Sequence, residues 1–215
     1  MKLFIWDFHG VLEKGNENAV IHISNKALEK NGYEKRFLES DIDKLYGLKW
    51  YQYFSYLMPE LSLDDCHKLQ LDCFENQFDN WLIIDSIIKP SDNSLDVLKK
   101  IKKSGNHQIL ISNTRPNDII RFLESVHIRK LFDDDKTFGV NSHQTNNSKI
   151  DILDQYLTDK KYDKIICIGD SEGDLELGRS VGAINYYYKH PYRQHEATDK
   201  ADFIINDLRE VLKEL

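Results

Sequence analysis

The chain has 215 residues, about 1.4 domains at the usual size of roughly 150 residues, so one domain with an insertion is expected. Its composition is 40% hydrophobic and 30% charged with only 10 Gly and 4 Pro, which excludes collagen-like and low-complexity classes and is typical of a soluble globular protein. The net charge of -7 and the lack of a dense basic patch argue against nucleic-acid and membrane partners.

The cysteines and the first residues indicate the compartment. Three cysteines cannot all pair within one chain, and none has a metal-binding spacing, so a reducing cytoplasm is expected. The chain begins like a signal peptide, but Asp7 and His9 interrupt the apolar run too early. No segment approaches the roughly 18 apolar residues of a membrane span.

Strand and helix patterns alternate along most of the chain. The apolar run 3–6 is too short for a helix and is typical of a strand buried on both faces. Further strand patterns occur at 108–111, 137–140, 164–168, 183–188 and 202–205, and helical patterns at 95–101, 116–126, 150–157, 175–181 and 208–215. The alternation predicts an α/β fold, a Rossmann-like parallel sheet with helices on both faces.

Residues 15–84 offer helical patterns and no convincing strand. Ser40 is expected to cap a short helix there, and Ser62 a longer one. We predict an α-helical cap domain at 15–84, inserted into a core domain made of 1–14 and 85–215. Without the insertion about 145 residues remain, a typical domain size.

Carboxylates follow two of the predicted strands. Asp170 and Asp174 lie four residues apart at a strand-to-helix junction, where hard oxygen ligands suit Mg²⁺; alternatively, an aspartate there caps the next helix. Asp7 ends the first strand in the same manner and could be a third ligand or a covalent nucleophile. Three carboxylates would repel one another, and a divalent metal would relieve this repulsion.

Three more residues meet the needs of phosphoryl transfer, which is mainly positioning and charge neutralisation. Ser112, at a strand end, could donate its hydroxyl to a phosphate oxygen, and Asn113 a backbone N–H. Lys149, which follows Asn146-Asn147-Ser148, could supply positive charge. Alternatively, Ser112 is a turn or cap residue and Lys149 a solvated surface group.

Taken in order, these residues form a pattern. The motifs are Asp7-Phe8-His9-Gly10-Val11-Leu12, Ser112-Asn113, Lys149, and Gly169-Asp170 with Asp174. They resemble the four signature motifs of the haloacid dehalogenase-like hydrolase superfamily. The likeness spans nearly the whole chain and includes a helical cap between the first two motifs, as in the phosphoglycolate phosphatase and β-phosphoglucomutase branch.

The resemblance implies a mechanism. Asp7 would attack phosphorus and form an aspartyl-phosphate, while Ser112 and Lys149 hold the phosphoryl oxygens. The implied Mg²⁺ ligands are Asp7, the backbone carbonyl of His9, Asp170, and Asp174 either nearby or through water. Water would then hydrolyse the intermediate, and the cap would close over the site and select the leaving group.

His9 departs from the family pattern, in which an Asp two residues after the nucleophile acts as acid and base. An imidazole exchanges protons near neutral pH and can replace that Asp. His9 could instead be a filler in an enzyme that needs no such acid, or mark an impaired protein. The backbone carbonyl is unaffected, so metal binding need not change.

Other residues have two interpretations each. Lys49 and Trp50 lie at positions where related caps contact the leaving group. Alternatively, Lys49 is a surface lysine and Trp50 an aromatic residue that packs within the helical bundle. Arg115 is expected either to face the site or to be solvated just before Pro116 starts a helix. The stretch 186–193 mixes aromatic and basic residues like a nucleic-acid surface, or is a strand followed by a loop.

We therefore expect a Mg²⁺-dependent phosphatase, monomeric or homodimeric, that acts on a small phosphorylated metabolite. A metal-independent dehalogenase would not need the Asp170 and Asp174 site. A phosphonate hydrolase would need a cap lysine, for which Lys49 is a candidate, and a mutase would rely on the acid–base Asp that His9 replaces. The non-enzyme alternative is a phosphometabolite-binding protein without turnover.

Overall fold

The chain divides into two units, the first of which contains a large sheet. The computed structural model describes residues 1–75, 77–140, 148–192 and 198–215. One unit comprises Met1–Lys14 and Lys89–Leu215, and the other Gly15–Ile88. The second boundary falls at residue 88 instead of 84, because the helix that ends the second unit continues to Ile87.

Six parallel strands make up the sheet of the first unit. The strands in chain order are β1 (Lys2–Trp6), β2 (Glu13–Lys14), β3 (Lys89–Pro90), β4 (His107–Ser112), β5 (Thr137–Gly139), β6 (Lys164–Gly169), β7 (Ile184–Tyr188) and β8 (Phe203–Ile205). The sheet has the order β5-β4-β1-β6-β7-β8, and every pairing in it is parallel. The predicted Rossmann-like parallel sheet is confirmed. β2 and β3 form a separate antiparallel ribbon that the sequence analysis did not anticipate.

β1 is apolar throughout because both of its faces are covered. Residues 3–6 are at most 1% exposed. Leu3 and Ile5 belong to a core cluster with Leu153 and Leu177, and successive strand residues point to opposite faces, so Phe4 and Trp6 are buried on the other side. Each such side chain stabilises the fold by about 1.5–3 kcal/mol.

The described residues form α-helices in both units. The helices in chain order are α1 (Asn16–Lys30), α2 (Ile42–Leu45), α3 (Trp50–Leu57), α4 (Leu63–Glu75), α5 (Gln77–Ile87), α6 (Ser94–Lys103), α7 (Pro116–Ser125), α8 (Lys149–Leu157) and α9 (Glu172–Ser180). α6 to α9 coincide with four of the predicted helical patterns. The fifth pattern forms a 3₁₀ helix, Leu208–Glu214, instead of an α-helix.

The second unit, Gly15–Ile88, consists of α1 to α5 and a 3₁₀ turn, Glu39–Asp41, and its described residues contain no strand. Ser62 caps α4 as predicted, since its Oγ accepts a hydrogen bond from the backbone N–H of Asp65 at 3.1 Å. Ser40 does not cap a helix, because it lies inside the 3₁₀ turn. There the carboxylate of Asp41 accepts a hydrogen bond from the N–H of Leu38 at 2.8 Å.

Cys66, Cys73 and Cys167 are buried, and none of the three forms a disulfide. Among the described helices, none has both the length and the apolar character that crossing a membrane requires.

Candidate active site

The ends of three neighbouring strands place the predicted residues along one edge of the sheet. β1 lies between β4 and β6, so Ser112, Asp7 and Asp170 follow or end adjacent parallel strands. The N–H of Asp7 donates to the carbonyl of Ile168 at 2.9 Å, which continues the ladder one residue beyond β1. In open α/β sheets this carboxyl edge is where ligands bind.

Three carboxylates meet at this edge. Asp7, Asp170 and Asp174 each offer an oxygen, and these oxygens lie within 4.8 Å of one another. Asp170 and Asp174 are only 2% exposed. A buried set of hard carboxylate oxygens fits the ligand preference of Mg²⁺.

A lysine lies between two of these carboxylates. Lys149 Nζ is 2.6 Å from Asp7 Oδ1 and 2.7 Å from Asp174 Oδ1, and its side chain is 11% exposed. Lys149 is the first residue of α8. Asn146 and Asn147, which precede it in the same motif, lie outside the described residues. The solvated-surface interpretation of Lys149 is therefore wrong.

Burial and charge shift the ionisation of this pair. Burial alone would lower the pKa of the Lys149 ammonium, but Asp174 and Asp7 raise it above its ordinary value. Burial and the charge of Asp174 raise the pKa of Asp7, while Lys149 and His9 oppose that rise without cancelling it. The Asp7 carboxylate therefore depends on nearby positive charge to stay ionised.

Asp174 caps a helix and also contacts Lys149. Its Oδ2 accepts hydrogen bonds from Ser171 Oγ at 2.6 Å and Ser171 N at 3.2 Å, which completes a capping box at the start of α9. Its Oδ1 accepts the bond from Lys149. The helix cap thus holds one oxygen while the other faces the charged cluster.

Ser112 is buried at the end of β4. Its Oγ lies 2.9 Å from Thr114 Oγ1 and accepts a bond from the N–H of Thr114 at 3.3 Å. This local turn fixes the position of the Ser112 hydroxyl. Thr114 was not among the candidate residues predicted from the sequence. Asn113 between them is exposed.

His9 is held by a carboxylate that the sequence analysis did not single out. His9 Nδ1 lies 2.9 Å from Glu13 Oε1. The imidazole also contacts the rings of Phe8 and Phe122, each with a centroid separation of 4.9 Å. The side chain of His9 remains 27% exposed.

The remaining candidates lie on other elements. In the second unit, Lys49 is exposed before α3, and Trp50 Nε1 donates to Ser24 Oγ at 2.7 Å, a packing contact. Arg115 precedes α7, and its Nε lies 2.6 Å from Asp118 Oδ2. In the stretch 186–193, residues 184–188 form β7, which favours the strand interpretation, and Arg193 is outside the described residues.

Several solved structures share this fold. A predicted phosphoglycolate phosphatase from Haemophilus somnus is 19% identical with a TM-score of 0.80 and covers 100% of this chain and 97% of that chain. A haloacid dehalogenase-like hydrolase from Streptococcus pneumoniae is 17% identical with a TM-score of 0.74, covering 99% and 97%. CbbY from Rhodobacter sphaeroides, in complex with phosphate, is 14% identical with a TM-score of 0.71, covering 98% and 95%.

Sequence comparison gives the family. No curated protein matches the chain. The family model described as haloacid dehalogenase-like hydrolase matches residues 4–186, which include every residue of the candidate site. The chain therefore belongs to the haloacid dehalogenase-like hydrolase family.

Proposed function

We propose that the chain is a Mg²⁺-dependent phosphatase that hydrolyses a small phosphorylated metabolite through an aspartyl-phosphate on Asp7. The observation that carries the proposal is the position of Lys149, whose ammonium touches Asp7 and Asp174 beside Asp170. The described phosphoglycolate phosphatase and the phosphate-bound CbbY, which have the same fold, support a phosphate substrate.

The charge of the cluster supports a divalent cation. With all groups ionised, the three carboxylates exceed the one ammonium by two negative charges, which would repel a phosphate monoester. Asp7, Asp170 and the backbone carbonyl of His9 would hold Mg²⁺. Asp174 would act through water, because both of its oxygens already accept hydrogen bonds. Bound Mg²⁺ would withdraw charge from the phosphoryl oxygens.

The protein residues have separate tasks in the proposed reaction. Asp7 attacks phosphorus, so that an Asp7 oxygen–phosphorus bond forms while the bond to the leaving oxygen breaks. During the transfer, Lys149 neutralises negative charge on the phosphoryl oxygens and the Ser112 hydroxyl donates a hydrogen bond to them. Water then attacks the same phosphorus, which releases inorganic phosphate and restores Asp7.

His9 exchanges the proton in both steps. It donates to the leaving oxygen in the first and accepts from the attacking water in the second. Its partial exposure, two residues after Asp7, is compatible with this role. Asn113, Arg115, Lys49 and Trp50 are proposed to bind the substrate, and the substrate panel below tests Arg115 and Lys49.

Hydrolysis of p-nitrophenyl phosphate by the purified chain tests the function. We expect release of nitrophenolate with Mg²⁺ and none with EDTA. No release with Mg²⁺, Mn²⁺ or Co²⁺ would contradict the proposal and favour a binding protein, while chloride release from 2-chloropropionate in EDTA would favour a dehalogenase. A panel of phosphorylated metabolites then identifies the substrate, and alanine variants of Lys49 and Arg115 should raise its KM while leaving that of p-nitrophenyl phosphate unchanged.

A further inference from the structure

Glu13 is a buried carboxylate for which the proposed reaction gives no role. It lies on β2 and is 1% exposed. Its Oε1 is 2.9 Å from His9 Nδ1 and accepts the N–H of Gly10 at 3.2 Å. Its Oε2 has no hydrogen-bond partner among the described residues. Burying a carboxylate is costly unless it is paired, so its contact with His9 calls for an explanation.

The contacts around His9 leave one nitrogen available. A carboxylate only accepts hydrogen bonds, so Nδ1 of His9 carries the hydrogen in this contact. The rings of Phe8 and Phe122 meet the imidazole at 70° and 89°, which restricts its rotation. With Nδ1 engaged and the ring held, Nε2 is the nitrogen that can exchange a proton.

We propose that Glu13 is a positioning residue, whose carboxylate orients the His9 imidazole and keeps the hydrogen on Nδ1 so that Nε2 serves the reaction. This inference rests on the proposed function. As the leaving oxygen–phosphorus bond breaks, Nε2 gives its proton to that oxygen. As water attacks the aspartyl-phosphate, Nε2 takes the proton from water, and the Nδ1 hydrogen stays on His9 throughout. The arrangement is that of a carboxylate–imidazole pair in which the carboxylate orients the ring.

Paired variants and two substrates test the inference. We expect Glu13→Leu to lower kcat by about 10- to 100-fold with KM changed less than about threefold, as for loss of an orienting partner. The loss should be larger for β-glycerol phosphate than for p-nitrophenyl phosphate, because an alkoxide leaves poorly without an acid. Glu13→Gln should lower kcat as well, because its amide NH2 can donate to Nδ1 and move the hydrogen of His9 to Nε2.

A double variant separates positioning from general damage. In His9→Ala, adding Glu13→Leu should cause no further loss of kcat, because residues that act as a unit are not additive. Asp92→Asn, which breaks a surface ion pair of 2.6 Å with Lys14 on the same ribbon, is the matched control and should keep kcat within about twofold. Thermal unfolding of each variant checks that it is folded.

The outcomes distinguish this inference from the function on which it rests. If His9→Ala lowers kcat but Glu13→Leu does not, or if the losses multiply in the double variant, the role of Glu13 is overturned and the phosphatase stands. A wild-type chain without phosphatase activity overturns both proposals.

Discussion

Gly169 and Asp174 approach so closely that no side chain fits between them. A Cβ added at Gly169 would lie 2.1 Å from the Cβ of Asp174 and 2.6 Å from its Oδ2. The end of β6 and the first turn of α9 therefore pack against each other only because residue 169 is glycine. This contact places Asp174 in the charged cluster with Asp7 and Asp170.

Gly169→Ala should displace Asp174. We expect a loss of stability of about 1–3 kcal/mol from overpacking, with a fall in Mg²⁺-dependent activity. The control is Gly173→Ala in the same motif, where a Cβ would meet nothing closer than Ser171 Oγ at 3.8 Å. It lies in α9 and should gain about 0.5–1 kcal/mol. Urea unfolding and phosphatase assays compare the stability and activity of the two variants. Equal changes in Gly169→Ala and Gly173→Ala would contradict the account.

Ser171→Ala should weaken both the helix and the metal site, because Ser171 holds Asp174 Oδ2. Loss of the cap should cost about 1 kcal/mol, and Mg²⁺ affinity should fall about 10- to 100-fold. Ser62→Ala removes the equivalent cap of α4 and is the control. Calorimetric titration with Mg²⁺ should show a change for Ser171→Ala alone, and an unchanged affinity would refute the double role of Asp174.

Lys149→Met removes the positive charge between Asp7 and Asp174. We expect kcat with saturating Mg²⁺ to fall by about 10²- to 10³-fold, the usual cost of losing a group that stabilises transition-state charge. Lys200→Met is the matched control, since Lys200 also bridges two carboxylates, Glu172 and Glu176, at the protein surface. Its kcat should remain near that of the wild type. A similar loss of kcat in both variants would mean that Lys149 acts only as a structural bridge between two carboxylates and has no catalytic role.

Glu214 should make stability depend on pH. Burial alone would raise the pKa of Glu214, but hydrogen bonds of 2.7 Å from Lys164 and Tyr186 hold it below its ordinary value of 4.5. A lowered pKa in the folded state stabilises the protein above pH 4.5, and this contribution is lost as the pH falls through the folded value.

Glu214→Gln should therefore cost about 1.5–3 kcal/mol at pH 7, the range for hydrogen bonds to a charged group. The difference from the wild type should shrink as the pH falls below 4.5. Glu210→Gln, at an exposed position of the same 3₁₀ helix, should change stability by less than about 0.5 kcal/mol. Thermal unfolding from pH 3 to pH 7 checks both; a difference independent of pH would show that charge is not the cause.

The sequence predicted which residues at strand ends lie close together. Asp7, Ser112 and Asp170 follow apolar runs, and parallel strands bring such ends to one edge of a sheet, so their proximity was foreseeable. Lys149 could be placed only by the order of motifs, because a lysine at the start of a helix has no local signal.

The missed features have physical reasons. Glu13 lies on a ribbon with two residues per strand, too short for any periodicity to appear. Ser40 looks like a helix cap, but it lies inside a 3₁₀ turn, in which the Asp41 carboxylate accepts the N–H of Leu38. The boundary at 88 was missed because the apolar residues before it continue α5, and nothing in their composition marks the end.

The central claim, a phosphoryl group carried by Asp7, can be measured directly. The chain is mixed with p-nitrophenyl phosphate and Mg²⁺, quenched in acid and digested. The mass of the peptide that contains Asp7 is then measured by mass spectrometry. We expect one added phosphoryl group on Asp7, in larger amount in His9→Ala, where breakdown of the intermediate is slowed, and none in Asp7→Asn, which should not hydrolyse the substrate. Phosphate release by Asp7→Asn at the wild-type rate, or a phosphoryl group on another residue, would contradict the account.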